Sequence, residues 1–230
     1  MSRETGIELV ALARLLALAF APPDGEGLAE IGGIALGLRE RASGADRDLA
    51  ELSALLETSG RAAELASEYT ALFDGEAPCP PYEGSHEVDP FRHTRQMADL
   101  AGFYRAFGAA SVERPGHAGC ELEFLSFLVA SRLAAEQAGE GERAAVCREA
   151  EDAFLRDHLG RWFPTFCRRV VQSAVSPFYV CVARLGERAI LSELARRDLE
   201  PEPLRELRRS AVEAEFLECG AATGSPGGDG

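Results

Sequence analysis

Apolar residues recur at spacings of three and four through nearly the whole 230-residue chain, and that period decides what it can fold into. Leu9, Leu12, Leu16 and Phe20 follow it, as do Leu65, Tyr69 and Leu72, then Met97, Leu100, Tyr104 and Phe107. Leu122, Leu125, Val129 and Leu133 repeat it, followed by Val146, Ala150 and Phe154 and by Phe178, Val182, Leu185 and Ala189. Each set makes one apolar stripe on a helix of 3.6 residues per turn. No comparable run alternates with period two, and β-branched residues are sparse. The pattern predicts an all-α fold: a single globular domain of roughly eight to ten helices over residues 1–219. The Gly-, Ala-, Ser- and Pro-rich residues 220–230 are expected to be a disordered tail.

The breaks agree with this reading. Pro22-Pro23-Asp24-Gly25 ends the first helix, and Ser59-Gly60 precedes the helix that leads to Phe73. Asp74 to Pro90 is a long connection holding Pro78, Pro80, Pro81 and Pro90. Gly108 closes the Met97 helix, Ser111 to Gly116 is a further loop, and Gly139 to Gly141 is a tight one. Ser176-Pro177 starts or kinks a late helix, and Pro201 and Pro203 open a last helix of mixed charge.

Charge narrows the function. All 24 basic residues are arginine against 38 acids, a net charge of −14, and the chain has neither lysine nor asparagine. There is no P-loop lysine, no Schiff-base lysine and no Cys-His-Asn triad. The acid excess argues against nucleic acid and for a neutral or basic partner. The apolar run from Ile7 to Ala21 contains Glu8 and Arg14 and lacks the basic start of a secretory signal; no uncharged stretch approaches the ~20 residues of a membrane helix. No membrane insertion and a cytoplasmic location are therefore expected. Cysteines 79, 120, 147, 167, 181 and 219 form no C-x-x-C pair and read as free, small core residues.

The charge is uneven. Residues 161–230 hold 10 arginines and 10 acids, so residues 1–160 carry the whole excess; within them, 61–90 has seven acids against Arg61 alone. Such a run is either a solvated face or a surface for a basic partner.

Catalytic signals are few. His117 and Glu121 lie four apart at a helix start and share a face, but a metal site needs three or four ligands. With Asp157 and His158 they define the alternative function, a helical metal-dependent hydrolase; the plainer reading is a histidine at a helix N-terminus oriented by a carboxylate. No G-x-S-x-G elbow or G-x-G-x-x-G turn is present. The stretch Cys79-Pro80-Pro81-Tyr82-Glu83 is more informative, because consecutive prolines stiffen an acidic loop inside a helical domain. Tyr69, Leu72, Phe73 and Tyr82 around it are either core plugs or the apolar floor of a peptide groove.

These residues also form an ordered series. Glu68-Tyr69-Thr70-Ala71-Leu72-Phe73 precedes the Cys-Pro-Pro-Tyr-Glu loop; the helix from Met97 to Gly108 follows, then Glu113-Arg114-Pro115-Gly116-His117, Glu121-Leu122-Glu123-Phe124, and Phe154 to Trp162. In this order they resemble the TorD/DmsD/NarJ family of redox-enzyme maturation chaperones, over roughly residues 60–195. The resemblance implies a TorD-like, cytoplasmic, non-enzymatic chaperone without metal or cofactor of its own. Its partner would be the molybdenum-containing catalytic subunit of a DMSO-reductase-superfamily oxidoreductase, together with that subunit's twin-arginine signal peptide. The wording around the loop is closest to the branch serving nitrate, selenate and chlorate reductases. A monomer or weak dimer is expected.

An acidic rim would pair the leader's arginines and an apolar groove would take its hydrophobic stretch. The candidate partner-binding residues are Tyr69, Leu72, Phe73, Pro80, Pro81, Tyr82, Glu83, Glu113, Pro115, His117 and Glu121, with the groove expected between segment 61–90 and the helix start at 113–121. One departure stands out: the family usually has aspartate before this histidine, and this chain has Gly116, a tolerable N-cap but no carboxylate.

Overall fold

Several helix starts carry a side chain that accepts from an orphan backbone N–H, and these caps set the boundaries of those helices. Asp24 accepts from Gly27 N at 2.7 Å, Asp46 from Asp48 N at 3.0 Å, Asp89 from Phe91 N at 3.0 Å and Ser176 from Phe178 N at 3.0 Å. The structure is a computed structural model and describes residues 3–42, 46–56, 61–87, 89–109, 115–202 and 204. Among the described residues the α-helices are α1 (Arg3–Ala19), α2 (Gly25–Arg41), α3 (Arg47–Leu56), α4 (Ala62–Phe73), α5 (Pro90–Ala106), α6 (Ala118–Ala138), α7 (Gly141–Phe154), α8 (Gly160–Ser173) and α9 (Pro177–Arg197). A 3-10 turn, Glu83–His86, sits in the α4–α5 loop, and one π-helical turn, Leu155–Leu159, joins α7 to α8. The all-α expectation holds. The expected last helix after Pro201 and the tail at 220–230 lie outside the described residues.

The helices α1 and α6 form the centre, with α7 folded back on α6, α2 and α3 following α1, and α8 lying on α9. Close approach of α1 and α6 depends on Gly119, where a Cβ would stand 3.0 Å from the carbonyl oxygen of Ala17. Most stripe positions point inward as their spacing requires: Leu16, Leu122, Leu125, Val129, Phe154 and Val182 are all buried, whereas Val146, assigned to a stripe with Ala150 and Phe154, faces outward. Each buried one contributes about 1.5–3 kcal/mol relative to an exposed position. Helix α8, which no stripe in the sequence singled out, buries Trp162, Phe163, Phe166, Cys167 and Val170. Cys79, Cys147, Cys167 and Cys181 are buried thiols and Cys120 is a half-buried one, none of the five in a disulfide.

The interior also holds an ion cluster. Arg132 Nε on α6 donates to Glu151 Oε1 on α7 at 2.7 Å, and Arg197 Nη2 at the end of α9 donates to Glu151 Oε2 at 2.8 Å. Arg132 reaches Glu136 at 3.0 Å, and Arg197 reaches Asp152 at 2.6 Å and Glu193 at 3.0 Å. Glu151 is fully buried, so one carboxylate fastens three helices together.

Candidate functional site

The proline loop folds down onto the start of α6 instead of standing away from it. Tyr82 and His117 form an isolated antiparallel bridge, with Glu83 N donating to Gly116 O and Ala118 N to Pro81 O, both at 2.8 Å. Cys79 N donates to Leu72 O at 3.1 Å, tying the loop's near end to α4. Consecutive prolines make this possible: their extended backbone offers carbonyls, Pro81 O to α6 and Pro80 O to the His86 ring 3.1 Å away. The Tyr82 and His117 rings meet edge to face, centroids 5.1 Å apart.

His117 is the N-cap of α6, its Nδ1 accepting from Gly119 N at 3.1 Å. This corrects the sequence reading that placed the cap at Gly116. Gly116 instead adopts φ +82°, and a Cβ there would meet Met97 Cε at 3.1 Å. An aspartate at this position would need both the backbone and Met97 to give way.

Two of the three carboxylates assigned to an acidic rim, Glu83 and Glu121, turn inward. Glu83 is 2% exposed and lies against His158 on the π-turn, with Nδ1 at 3.1 Å from Oε2 and 3.3 Å from Oε1. The other ring nitrogen of His158 faces Asp99 Oδ2 at 3.4 Å, and the rings of Phe103 and Phe154 flank it. Glu121 is fully buried and accepts from Trp162 Nε1 at 3.1 Å. Burial holds its carboxyl well above the usual carboxylate range, the charge of Glu83 pushes the same way, and the Trp162 N–H opposes both. Glu121 therefore keeps its proton to higher pH than a glutamate in water. Burial likewise raises the Tyr104 phenol, with the charge of Glu121 next.

The other acids of segment 61–90 divide similarly. Glu68 accepts from Val175 N and Ser176 N, both at 2.8 Å, and caps the approach to α9. Glu87 lies 3.5 Å from Arg161, and Asp89 caps α5. Only Glu64, Asp74 and Glu76 remain exposed on this run. Tyr69, Leu72 and Phe73 are buried: Phe73 meets Phe20, Phe166 and Tyr179 edge-on or tilted, and the Tyr69 hydroxyl donates to Phe20 O at 3.3 Å. Pro115 is half-buried beside Gly116, and Glu113 lies outside the described residues.

The expected groove between the loop and the α6 start is thus closed by the bridge. An open groove of about 420 Å3 lies instead on the other side of that helix start, between it and the end of α1. Leu18, Ala21, Pro22 and Tyr69 form its apolar floor, His117 and Cys120 its wall. Arg14 stands at one end, bonded to Glu30 at 2.9 Å and to Glu123 at 2.7 Å. Tyr69 and His117 are the sequence candidates that reach it; Leu18 and Ala21 are new, because Leu18 lies on the face of α1 opposite the first apolar stripe and Ala21 lies beyond the helix end, so the stripe carried no signal for them.

Among the described residues no three His, Cys, Asp or Glu side chains gather as metal ligands. The hydrolase set is not assembled: His158 engages Glu83, Asp157 is bonded to Arg156 at 2.6 and 2.8 Å, and His117 caps its helix. Among the same residues no helix is long and apolar enough to cross a membrane.

His86 packs on Trp162 with ring centroids 5.1 Å apart. Burial lowers its pKa to about 4; the Pro80 carbonyl raises it and Arg169 lowers it further. Unfolded chains take up this proton near pH 6.5, whereas the folded protein refuses it until about pH 4. Stability contributed by neutral His86 is therefore complete above pH 6.5 and lost as pH falls to 4, up to about 3 kcal/mol by linkage. Urea unfolding at pH 7 and pH 4.5 should show that loss in the wild type and a smaller one in His86→Gln; equal losses would assign the acid lability to other groups.

Fold and site together define an all-helical domain in which an anchored proline loop flanks an open groove. A crystal structure from Archaeoglobus fulgidus, of a protein assigned to redox-enzyme maturation, shares the fold with a TM-score of 0.52 at 23% identity, over 78% of this chain and 91% of that one. The family model described as nitrate reductase delta subunit matches residues 39–168, more than half of the chain, and the protein belongs to this family, the TorD/DmsD/NarJ group. The selenate reductase assembly chaperone protein of Thauera selenatis is 36% identical over 113 residues, 46% of this chain and 57% of that protein. The chaperone protein TorD of Aeromonas salmonicida is 32% identical over 136 residues, 58% of this chain and 61% of that protein. The matched stretches thus span less than two thirds of these relatives' own length. Both carry the names of chaperones, not of enzymes.

Proposed function

We propose that the protein is a dedicated maturation chaperone. It binds the apo catalytic subunit of a molybdopterin oxidoreductase of the DMSO-reductase superfamily, together with that subunit's twin-arginine leader. It keeps the subunit competent for molybdenum-cofactor insertion before assembly or export, acts in the cytoplasm, and performs no chemistry of its own. Family membership and the names of the two chaperone relatives support this reading.

The observation that carries it is the open groove beside His117, whose apolar floor of Leu18, Ala21 and Tyr69 suits the hydrophobic stretch of a leader. Glu123 at the groove already pairs with Arg14, so the exposed Glu64, Asp74 and Glu76, on and just after the helix that supplies Tyr69 to the floor, are the acids left to attract the arginines that precede such a stretch.

Calorimetric titration of a synthetic twin-arginine leader peptide tests it. Ala21→Glu, which puts a charge on the apolar floor, should weaken binding at least about tenfold, the size of a ~1.4 kcal/mol loss. Val146→Ser, on an exposed position of α7, should leave it unchanged. Affinity should also fall with salt. Equal affinities for the two variants would remove the groove from the binding surface. Preferential co-purification of the cofactor-free over the cofactor-loaded client subunit tests the maturation role separately.

A further inference from the structure

The first turns of α5 are a basic island on an acidic protein: from Phe91 to Ala98 the chain carries Arg92, His93 and Arg95 and no carboxylate. Arg161, in the first turn of α8, shares with Arg92 and Arg95 a cleft of about 600 Å3. Asp99 and Asp157 also line it; Asp99 stands 3.4 Å from His158 Nε2 on one side of the cleft, and two hydrogen bonds from Arg156 hold the Asp157 carboxylate. Phe91, 88% exposed, stands at the same end of α5.

The chain's own C-terminal arm enters this cleft. Asp198, left-handed at φ 54° and ψ 46°, ends α9, and Leu199 N donates back to Leu194 O at 3.0 Å. Residues 199–202 then run on without regular structure. Arg92 Nη2 donates to the Glu202 carboxylate, and Arg161 Nε donates to the Glu202 carbonyl oxygen at 3.1 Å. The cleft thus reads one acidic residue twice, by side chain and by backbone. Donor capacity remains: Arg92 Nη1 is buried without a hydrogen-bond partner, and exposed Arg95 pairs with no acid among the described residues. Glu202 is itself 61% exposed in its side chain, so its ion pair is of the weak, exchangeable surface kind.

We propose that the α5–α8 cleft is a binding site for an acidic, proline-containing peptide segment of a partner polypeptide, and that Glu202 is its intramolecular occupant. A site made only for a small anion has no use for a donor aimed at a backbone carbonyl, whereas a peptide supplies carboxylate and carbonyl together. Because the arm is tethered, it competes at a high effective concentration and keeps the free site masked. The proposal is independent of which leader or client the chaperone groove takes.

The test is fluorescence anisotropy with a labelled Leu-Glu-Pro-Glu-Pro-Leu peptide, the arm's own sequence, added to the full-length protein. Glu202→Ala should bind it about tenfold more tightly than wild type, as removal of a tethered competitor requires. Arg92→Ala/Arg95→Ala, made in the Glu202→Ala background, should lose binding while its circular dichroism and thermal midpoint stay those of Glu202→Ala. The same peptide with glutamine for glutamate should not bind. Equal affinity of wild type and Glu202→Ala, equal binding of the glutamine peptide, or no binding by either protein would overturn the proposal. Displacement by inorganic phosphate at concentrations comparable to the peptide would also overturn it, by making the cleft a small-anion site.

Discussion

Glu151→Ala is expected to lower the unfolding free energy by about 3–5 kcal/mol, the cost of breaking a buried ion pair from one side. The carboxylate is fully buried and receives Arg132 at 2.7 Å and Arg197 at 2.8 Å, so its removal leaves two guanidiniums facing each other in the interior. Both arginines keep other acids, Glu136 for the first and Asp152 and Glu193 for the second, which places the effect inside that range and not beyond it. Glu151→Gln should cost less, because the amide oxygen still accepts one of the two bonds. Urea unfolding at pH 7 measures both. A loss below about 1 kcal/mol for the alanine variant would mean that the remaining acids satisfy the arginines unaided. The helices tied by this cluster, α6, α7 and α9, underlie the π-turn that presents His158, so the loss reaches the site as well.

Glu83→Ala is expected to cost about 1–3 kcal/mol, because it leaves a ring nitrogen of the almost fully buried His158 without its hydrogen-bond partner. Its consequence is more local. The Glu83–His158 contact and the Tyr82–His117 bridge are the loop's fastenings to the π-turn and to α6. Losing the first should open the loop at 74–87 to limited proteolysis under conditions where the wild type resists. Glu121→Gln is the informative contrast: the amide oxygen can still accept from Trp162 Nε1 and brings no charge into a site where burial disfavours one, so the expected cost is within about 1 kcal/mol. The sign with pH follows. Unfolded glutamate releases its proton near pH 4.3 while folded Glu121 keeps it, so its contribution weakens as pH rises above that value, and Glu121→Gln removes this slope. If Glu83→Ala and Glu121→Gln cost the same, the loop is held by its backbone bridge alone.

The same comparison shows how much of the site could be read from residues in a row. The loop and the start of α6 were recognisable as partners from their order, and the bridge joins them. The direction of their acids was not, because a count of charge along a segment is blind to which side of the chain faces inward. A finer signal was present. Glu121 lies in phase with Leu125, Leu128 and Arg132, at steps of four, three and four, and Glu151 lies in phase with Ala144, Cys147 and Phe154. A charged residue on an apolar stripe is either an error of pattern or a buried pair, and here both are buried pairs or buried acids. Applied to Glu121, that rule places it in the interior and not on an acidic rim. Nothing comparable marks Glu83, which lies in a loop without periodicity, and its burial depends on where the π-turn places His158.

What the sequence determined by itself is the helical class, its stripes, caps and breaks, because these depend on interactions within four residues along the chain. The tertiary structure alone decided that the loop closes on α6, that the open groove lies against α1, and that four acids of a seven-acid run serve as internal partners and caps. Apart from the local cap of Asp89 on Phe91, these rest on contacts between residues tens of positions apart, such as Glu83 with His158 and Glu68 with Ser176. Only the packing of helix on helix fixes which of those distant groups meet, and helical period carries no record of it.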